Sequence, residues 1–370
     1  MTKTLRPGLV LVVLLLAVFP SLAQKKPTLS KQQIAEIERL IQAEMLSGKI
    51  PGFSVAIFDG DKLRYAQGFG LANLESSVAA KSTTAYRLGS LTKTITATAV
   101  MQLAEKGKLD LDSPVQKYCA VFPEKPWPIS ARQLLAHLGG VRDYNNQRFL
   151  EEYFSTRHYN SITEGLDIFK NDPLLQEPGT KYSYSTYGYN VLGCSIEGAS
   201  GVSYSDYLRD NILNPAGMSE TRVDDIFQII PNRARGYGLT RDGVVRNTGL
   251  ADTSNKIPAG GLLSTVEDIS RFAIALRKGT LLSPATLEQM WTLQKTRDGK
   301  AISYALGWRV AERNGMKEVF HGGAAAGFST FLYLLPEKNV GVVLMANLEL
   351  LSSKQRDDLA RRIADLVIGS

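Results

Sequence analysis

The stretch from Leu88 to Gly107 constrains the fold most, because a helical apolar pattern there follows chemically useful side chains. Apolar residues recur in it at helical spacing: Ile95, Ala99, Val100 and Leu103. This pattern predicts an amphipathic helix docked in the protein interior. Gly107 stands where a left-handed residue would end such a helix. Ser90 lies at the helix start, after a glycine that permits a tight entry.

Ser90 and Lys93 are three residues apart, so a helix places both side chains on one face. A serine hydroxyl becomes an effective nucleophile when an adjacent base takes its proton. A lysine buried in an apolar cleft can be that base, since burial lowers its pKa. In the structural alternative, Ser90 caps the helix and Lys93 is a solvated charge in its first turn. Because Ser-x-x-Lys also occurs by chance, the choice depends on the rest of the chain.

The charge pattern excludes some classes of partner. The chain has 370 residues, with 43 Lys and Arg against 36 Asp and Glu, which gives a net charge of +7. Basic residues are dispersed, without a basic run or an arginine–aromatic alternation, so we expect no nucleic-acid partner. With 44% apolar residues, the composition is typical of a globular protein with a large core, and the length favours two lobes.

The N-terminus has the pattern of a secretory signal peptide. Lys3 and Arg6 precede an apolar run from Leu9 to Phe19, and Ser21-Leu22-Ala23 is a small-x-small cleavage site. Residues 1–23 are therefore predicted to be a signal peptide cleaved near Ala23. The run is short for a membrane span, so we expect an exported, periplasmic or extracellular protein without a transmembrane anchor after cleavage. An uncleaved signal segment that acts as an anchor is the alternative.

Cysteine and histidine are scarce in this chain, which has two cysteines and three histidines. Export permits a disulfide, yet Cys194 lies in an apolar helical pattern typical of a buried thiol, so the sequence favours free thiols and leaves its pairing with Cys119 open. His137 lies in a short buried helix pattern and is interpreted as structural, and His158 has no assigned role. We expect neither a metal site nor a cofactor.

Predicted strands and helices lie at both ends of the chain, and helices dominate its middle. The predicted end elements are a helix from Ser30 to Gly48, the strands Phe53–Phe58, one through Tyr65 and Phe69, Ser303–Val310, Glu318–His321, Ser329–Leu335 and Val340–Met345, and a last helix at about Ser352–Val367. This distribution favours one α+β domain, 28–370, whose sheet is built from both chain ends. Residues 28–87 and 300–370 are expected to form a mixed lobe. Residues 88–299 are expected to form an inserted, mostly helical lobe.

Two further polar residues, Tyr184 and His321, stand at the ends of predicted extended segments. Tyr184 precedes a helix, where a phenol could point into a cleft; the structural alternative is one more packed ring in an aromatic cluster. His321 ends a strand and is followed by Gly322, Gly323 and the small residues 324–327, which could let a substrate backbone approach. A lone strand-end histidine is otherwise usually a satisfied polar residue.

These pieces form one ordered pattern: Ser-x-x-Lys, a later Tyr-Ser-x, and a basic residue followed by small residues on a late strand. The pattern resembles that of the serine beta-lactamase and penicillin-binding protein superfamily. The closer resemblance is to class C beta-lactamase-like serine hydrolases, among them bacterial relatives of the mitochondrial serine beta-lactamase-like protein. Family-like blocks span nearly all of the chain after the signal segment: Gly52–Ala56, Leu103–Asp110, Pro258–Leu262, Leu306–Trp308 and Val342–Asn347.

The resemblance implies a beta-lactamase/transpeptidase-like fold, with an antiparallel sheet flanked by helices and Ser90 where the two lobes join. It implies that Ser90 is the nucleophile that accepts the acyl group and that Lys93 accepts its proton. Tyr184 is then the general acid and base that serves the leaving group and activates water. The oxyanion hole is expected from the backbone N–H groups of Ser90 and Ala324.

The other expected site residues depart from the family pattern. Thr186 stands where relatives often have asparagine; it could still hydrogen-bond the motif lysine but lacks an amide's separate donor and acceptor. His321 stands where many relatives have lysine and is expected to tune the catalytic tyrosine or to bind a substrate carboxylate, although it is less reliably charged at neutral pH. Gly322 and Gly323 are expected to keep the strand open to substrate.

The function that these features predict is an exported serine hydrolase that forms an acyl-enzyme. Its substrates are expected to be small molecules or peptides with an amide, peptide or ester bond, as in a peptidase or a DD-peptidase. The departures at Thr186 and His321 weigh against efficient beta-lactam hydrolysis. The alternative is a non-catalytic or self-assembling binding protein that retains the pocket.

Overall fold

The computed structural model describes residues 29–349 and 353–369, together with Thr2. The predicted signal peptide, residues 1–23, lies outside the described residues apart from Thr2. Among the described residues, none of the helices combines the length and the apolar character needed to cross a bilayer.

The strands of the described residues fall into one large and two small sheets. Their bounds are β1 Gly52–Asp59, β2 Lys62–Asn73, β3 Val78–Ala79, β4 Tyr86–Arg87, β5 Arg222–Val223, β6 Tyr237–Leu239, β7 Val245–Asn247, β8 Leu262–Ser264, β9 Arg309–Arg313, β10 Met316–Ala325, β11 Phe328–Leu335 and β12 Val340–Ala346. The large sheet has seven strands in the order β3-β2-β1-β12-β11-β10-β9. The prediction of an α+β fold with a sheet built from both chain ends is confirmed.

The two chain ends meet at the centre of this sheet, where β1 pairs antiparallel with β12 and Val55 lies opposite Leu344. Every residue of β1, β11 and β12 is buried. An antiparallel strand is buried on both sides only when each face of its sheet is covered. The sheet is therefore the middle layer of the molecule and fixes the position of β10, which borders the site.

The helices of the described residues cover both faces of the sheet and form most of the inserted lobe. Their bounds are α1 Lys31–Gly48, α2 Thr92–Glu105, α3 Ala131–Leu135, α4 Phe149–Tyr153, α5 Ile162–Leu166, α6 Thr186–Ser200, α7 Tyr204–Leu208, α8 Asn214–Ala216, α9 Ile257–Gly260, α10 Val266–Arg277, α11 Pro284–Met290 and α12 Ser353–Ile368. One face of the sheet packs against α1 and α12, through residues such as Ile41 and Ile363. The other face packs against the helical lobe, through residues such as Phe272 of α10.

Helix α2 is buried on every side, whereas its apolar spacing predicted an amphipathic helix. All residues from Thr92 to Leu103 are buried. Three of its threonine hydroxyls donate to backbone carbonyls, Thr94 to Leu91, Thr96 to Pro258 and Thr98 to Thr94. A hydroxyl can be buried at little cost when it is hydrogen-bonded. The helix therefore runs through the core, and its first turn is withdrawn from water on all sides.

One strand of the predicted organisation has the wrong bounds. The predicted strand Ser303–Val310 begins only at Arg309 as β9, because the preceding residues turn back and Ala305 N–H donates to Trp308 O. The family-like block Pro258–Leu262 begins within the short helix α9, which ends at Gly260. The inserted lobe also contains short strands: β5 and β8, which form a three-stranded sheet with β4, and the β6–β7 hairpin.

Cys119 and Cys194 form a disulfide, contrary to the free thiols that the sequence favours. Cys194 does lie on a buried helix, α6, as expected. Gly198 lies one turn further along, and any larger side chain there would overlap the Tyr118 carbonyl. This close approach brings the two cysteine Cα atoms to 5.3 Å, within the range of a disulfide.

The disulfide closes a separation of 75 residues, so its loss should destabilise the protein mainly by enlarging the unfolded ensemble. We expect reduction to lower the free energy of unfolding by about 2–4 kcal/mol. Urea unfolding with and without reductant measures this change. The double variant Cys119→Ser/Cys194→Ser should have the same urea midpoint as the reduced protein, and reductant should not change that midpoint. An unchanged midpoint on reduction would contradict a contribution of the bridge to stability.

Candidate active site

Ser90 is presented by a 3₁₀ turn, Gly89–Leu91, that leads directly into α2. Gly89 has φ +53°, and a side chain there would overlap the backbone of Ala324 on β10. Glycine tolerates both the left-handed backbone and the close approach. The turn is thereby pressed against the end of β10, with the Ser90 side chain still partly exposed.

Two proton-carrying groups converge on the Ser90 hydroxyl. The Lys93 amine lies 3.1 Å from Ser90 Oγ, one helical turn further along the chain. The Tyr184 phenol donates a hydrogen bond of 2.8 Å to the same oxygen. The structure therefore brings together Ser90, Lys93 and Tyr184, the three residues that the ordered motifs predict. A base and a phenol on one hydroxyl can move protons between a nucleophile and a leaving group.

Lys93 is fully buried, and burial is the main cause of a pKa lowered to about 7. The negative charge of Asp143 acts in the opposite direction and raises this pKa. Nζ also donates to the Ala259 carbonyl at 2.9 Å. A large fraction of Lys93 is therefore a neutral amine near neutral pH, the form that can accept a proton from Ser90.

Tyr184 lies in an extended segment immediately before α6, whose N-cap is Ser185. Burial raises the pKa of Tyr184, and the hydrogen bond to Ser90 partly offsets this effect. The phenol is therefore protonated at neutral pH. The His137 ring packs against it with ring centres 4.2 Å apart. His137 Nδ1 accepts the Ser185 N–H at 3.1 Å, so this histidine positions the segment, in agreement with its structural interpretation.

A cavity of about 170 Å³ opens beside Ser90, where the helical lobe meets the sheet. Its lining includes Ser90, Asp143, Tyr144, Tyr153, Tyr184, Thr186, Lys256 and Ala324–Ala326. Ser90 and Ala324, whose backbone N–H groups are the expected oxyanion hole, both line it. Such donors stabilise a developing oxyanion best when they are fixed beforehand. The rigid contact between Gly89 and Ala324 supplies that fixation.

Thr186 lines the cavity but does not hold Lys93 as expected. Its backbone N–H donates to Asp143 Oδ1 at 3.0 Å, and its hydroxyl interacts with the Tyr144 phenol. The Lys93 amine is instead held by the Ala259 carbonyl. A threonine hydroxyl is shorter than an asparagine amide, and in this arrangement the α9 backbone takes the role expected of the side chain.

His321 is buried beside the site rather than open to it. Its Nδ1 donates to the Gly322 carbonyl at 2.8 Å, and its Nε2 accepts from the Tyr304 phenol at 2.7 Å. Burial and the positive charges of Lys93 and Arg309 lower its pKa to about 3. His321 is thus neutral, with both ring nitrogens engaged. In this arrangement it supplies no cation for a substrate carboxylate.

Gly322 and Gly323 serve packing within the protein rather than keeping the strand open to substrate. A side chain at Gly322 would overlap the guanidinium of Arg356 on α12. A side chain at Gly323 would overlap the Leu88 carbonyl, next to the nucleophile turn. The residues of β10 that border the cavity are Ala324 and Ala325, one step further along the strand.

Sequence reasoning missed two charged residues of the cavity, Asp143 and Lys256. Lys256 lies two residues before the family-like block Pro258–Leu262, and this proximity is the one signal that could have drawn attention to it. His158, left without a role, pairs with Asp252 through a contact of 2.8 Å. Among the described residues there is no cluster of three or more side chains suited to holding a metal ion.

A family model described as Beta-lactamase matches residues 37–366 of the chain. The chain belongs to the beta-lactamase family. Human mitochondrial serine beta-lactamase-like protein LACTB is 30% identical to this family member over an alignment of length 386 that covers 78% of this chain and 69% of LACTB. The resemblance to the serine beta-lactamase and penicillin-binding protein superfamily is confirmed.

Two solved structures have a fold similar to that of this beta-lactamase-family chain. The octameric penicillin-binding protein homologue from Pyrococcus abyssi has a TM-score of 0.78 and 27% identity, covering 91% of this chain and 78% of that one. The D-amino acid amidase from Ochrobactrum anthropi SV3 also has a TM-score of 0.78, at 23% identity, covering 91% of this chain and 99% of that one. The amidase likeness concerns the fold alone.

Proposed function

We propose that this protein is a serine hydrolase that cleaves amide, peptide or ester bonds through an acyl-enzyme on Ser90. One observation carries the proposal: the Ser90 hydroxyl is contacted by a buried lysine, Lys93, with a pKa of about 7 and by the protonated phenol of Tyr184. A lysine that only balanced charge would be expected in solvent or in an ion pair. Lys93 is instead buried and forms no ion pair within the described residues.

In the proposed mechanism, neutral Lys93 takes the Ser90 proton as Oγ attacks the substrate carbonyl carbon. The carbonyl oxygen becomes an oxyanion and accepts hydrogen bonds from the N–H groups of Ser90 and Ala324. Tyr184 donates its proton to the leaving amine or alkoxide as the tetrahedral intermediate collapses, and the Lys93 ammonium can restore the tyrosine proton. Water then attacks the acyl-enzyme with the same groups as base and acid, which regenerates free Ser90.

Several features favour ordinary amides and esters over beta-lactams as substrates. Thr186 lacks the amide of the family asparagine, and His321 is neutral where many relatives have a charged lysine. The structural likeness to a D-amino acid amidase is compatible with amide cleavage but concerns the fold alone. We therefore place peptidase, amidase and esterase activity before beta-lactamase activity.

We also propose that the protein is exported, with residues 1–23 removed. The buried Cys119–Cys194 disulfide supports this proposal, because stable disulfides persist mainly in oxidising compartments. The alternative function, a non-catalytic or self-assembling protein, has one supporting observation: the Pyrococcus abyssi homologue is described as octameric. Assembly and catalysis are compatible, and the labelling experiment below decides whether the pocket reacts.

A fluorophosphonate probe should label the purified protein at Ser90, and Ser90→Ala should abolish labelling. We expect Lys93→Met to slow labelling by about 10²–10⁴-fold, since general-base catalysis is worth that much. Tyr184→Phe should slow the turnover of an amide substrate by about 10²-fold or more. Mass spectrometry of the labelled peptide and nitroanilide turnover are the measurements.

Tyr182→Phe is the matched control for the tyrosine variant. Its hydroxyl is buried and has no hydrogen-bond partner in the described part of the chain, so its removal should change activity by less than about twofold. A folded wild-type protein that does not react with the probe would support the binding-protein alternative. Equal losses of amide turnover in Tyr182→Phe and Tyr184→Phe would mean that Tyr184 acts only through packing.

Acylation should speed up as the pH rises through about 7, because Lys93 accepts a proton only as the neutral amine. Below that pH the rate should fall about tenfold per pH unit. Asp143→Asn should shift the midpoint to lower pH, since the carboxylate raises the pKa of Lys93 and asparagine retains the acceptor for Thr186 N–H. A pH-independent rate, or a midpoint moved upward in Asp143→Asn, would contradict Lys93 as the base.

The export proposal predicts the N-terminus of the mature protein. Expressed with its full N-terminus in a bacterium, the protein should be recovered outside the cytoplasm and begin near Gln24. Intact-mass measurement and N-terminal peptide mapping test this expectation. Recovery of the uncleaved chain in the membrane fraction would favour the signal-anchor alternative. Recovery of the uncleaved chain in the cytoplasm would contradict export.

A further inference from the structure

The cavity contains a second buried lysine, Lys256, that the proposed mechanism does not use. It ends a 3₁₀ turn just before α9, the helix whose Ala259 carbonyl holds Lys93. Its residue exposure is 6%, and it lines the same cavity as Ser90. Nζ donates to the Tyr153 carbonyl at 2.9 Å and lies 4.9 Å from the centre of the Tyr153 ring. The Tyr144 ring is 5.2 Å away.

Lys256 differs from two partly buried arginines, Arg87 and Arg142, because the described residues provide it with no counter-charge in contact. Arg87 pairs with Asp224 at 2.6 Å, and Arg142 pairs with Glu152 at 3.0 Å. For Lys256, no carboxylate of residues 29–349 or 353–369 lies within the 4.0 Å of an ion pair. Burying a cation is costly unless an anion or several hydrogen bonds compensate. An ammonium has three N–H donors, and the Tyr153 carbonyl takes one of them.

The nearby carboxylates are already engaged elsewhere. Asp143 Oδ1 accepts the Thr186 N–H, and Asp252 contacts His158 and accepts the Ser254 N–H. Burial and the positive charges of Arg87 and Lys93 lower the pKa of Lys256 to about 7, while Asp143 and Asp252 raise it. The electrostatic potential at this point of the cavity therefore favours the binding of one more negatively charged group.

We propose that Lys256 binds a carboxylate of the substrate, so that the enzyme prefers acyl groups that carry an acidic group. This inference rests on the proposed acyl transfer at Ser90. Neutral His321 offers no cation on the β10 side. The rings of Tyr144 and Tyr153 line the cavity beside Lys256 and offer an apolar wall to the chain that connects carboxylate and scissile carbonyl.

Two activated esters test the proposal, the mono-p-nitrophenyl esters of adipic acid and of adipamic acid. They have the same six-carbon chain, which ends in a carboxylate or in a neutral amide. Release of nitrophenolate measures acylation of Ser90 and does not require turnover. We expect wild type to favour the adipate ester by about tenfold or more in kcat/KM, the usual advantage of a charge-assisted hydrogen bond. Lys256→Met should remove this preference and leave the adipamate rate within about threefold.

Lys125→Met is a matched control, because Lys125 also donates to backbone carbonyls, those of Lys170 and Asp172, but lies outside the cavity lining. It should leave the ratio of the two rates unchanged. Equal losses of kcat/KM on both esters in Lys256→Met, with a lower melting temperature, would show that Lys256 only supports the end of α4 at Tyr153 and would overturn the proposal. So would a wild type that reacts with fluorophosphonate yet shows no preference. A wild type that does not react at all would refute the proposed function instead.

Discussion

The chemistry of the site depends on the burial of one amine. Lys93 lies in the first turn of a helix that is enclosed on all sides, and removal from water is what lowers its pKa from 10.5 to about 7. That shift corresponds to roughly 5 kcal/mol of unfavourable free energy for the charged form. The penalty to folding is full below pH 7 and is relieved as the pH rises towards 10.5, because the unfolded chain keeps the proton longer. The surrounding core must offset it.

The core offsets this burial through backbone contacts between three segments. The nucleophile turn at Gly89 touches the Ala324 backbone of β10 on one side and lies against Gly260 of α9 on the other. The α9 carbonyl of Ala259 accepts the Lys93 N–H, and Gly323 lets the strand approach Leu88. Glycines are required because the elements meet backbone to backbone. The same rigidity aligns the two oxyanion N–H groups, so stability and catalysis depend on one packing arrangement.

The sequence predicted the fold class and the three central residues, because these depend on local patterns and on motif order. Apolar runs at both ends indicate a sheet shared by both ends, and Ser-x-x-Lys followed by Tyr-Ser-x indicates the site. The rest depends on contacts between distant segments. The disulfide requires the approach of Gly198 to Tyr118, and the neutrality of His321 requires Tyr304. Lys256 had no motif of its own, and only the folded cavity shows that no carboxylate of the described residues is in contact with it.

A bound anion would affect the protonation of the two buried lysines, Lys93 and Lys256, differently. Both have a pKa near 7, and their charges repel, so at neutral pH the site favours one proton on the pair over two. A substrate carboxylate in contact with Lys256 stabilises that proton on Lys256. The bound carboxylate neutralises this ammonium in the field that Lys93 feels, so the pKa of Lys93 remains set mainly by its burial. An acidic substrate would thus hold the proton on Lys256 while the buried Lys93 keeps its neutral fraction as the base for Ser90.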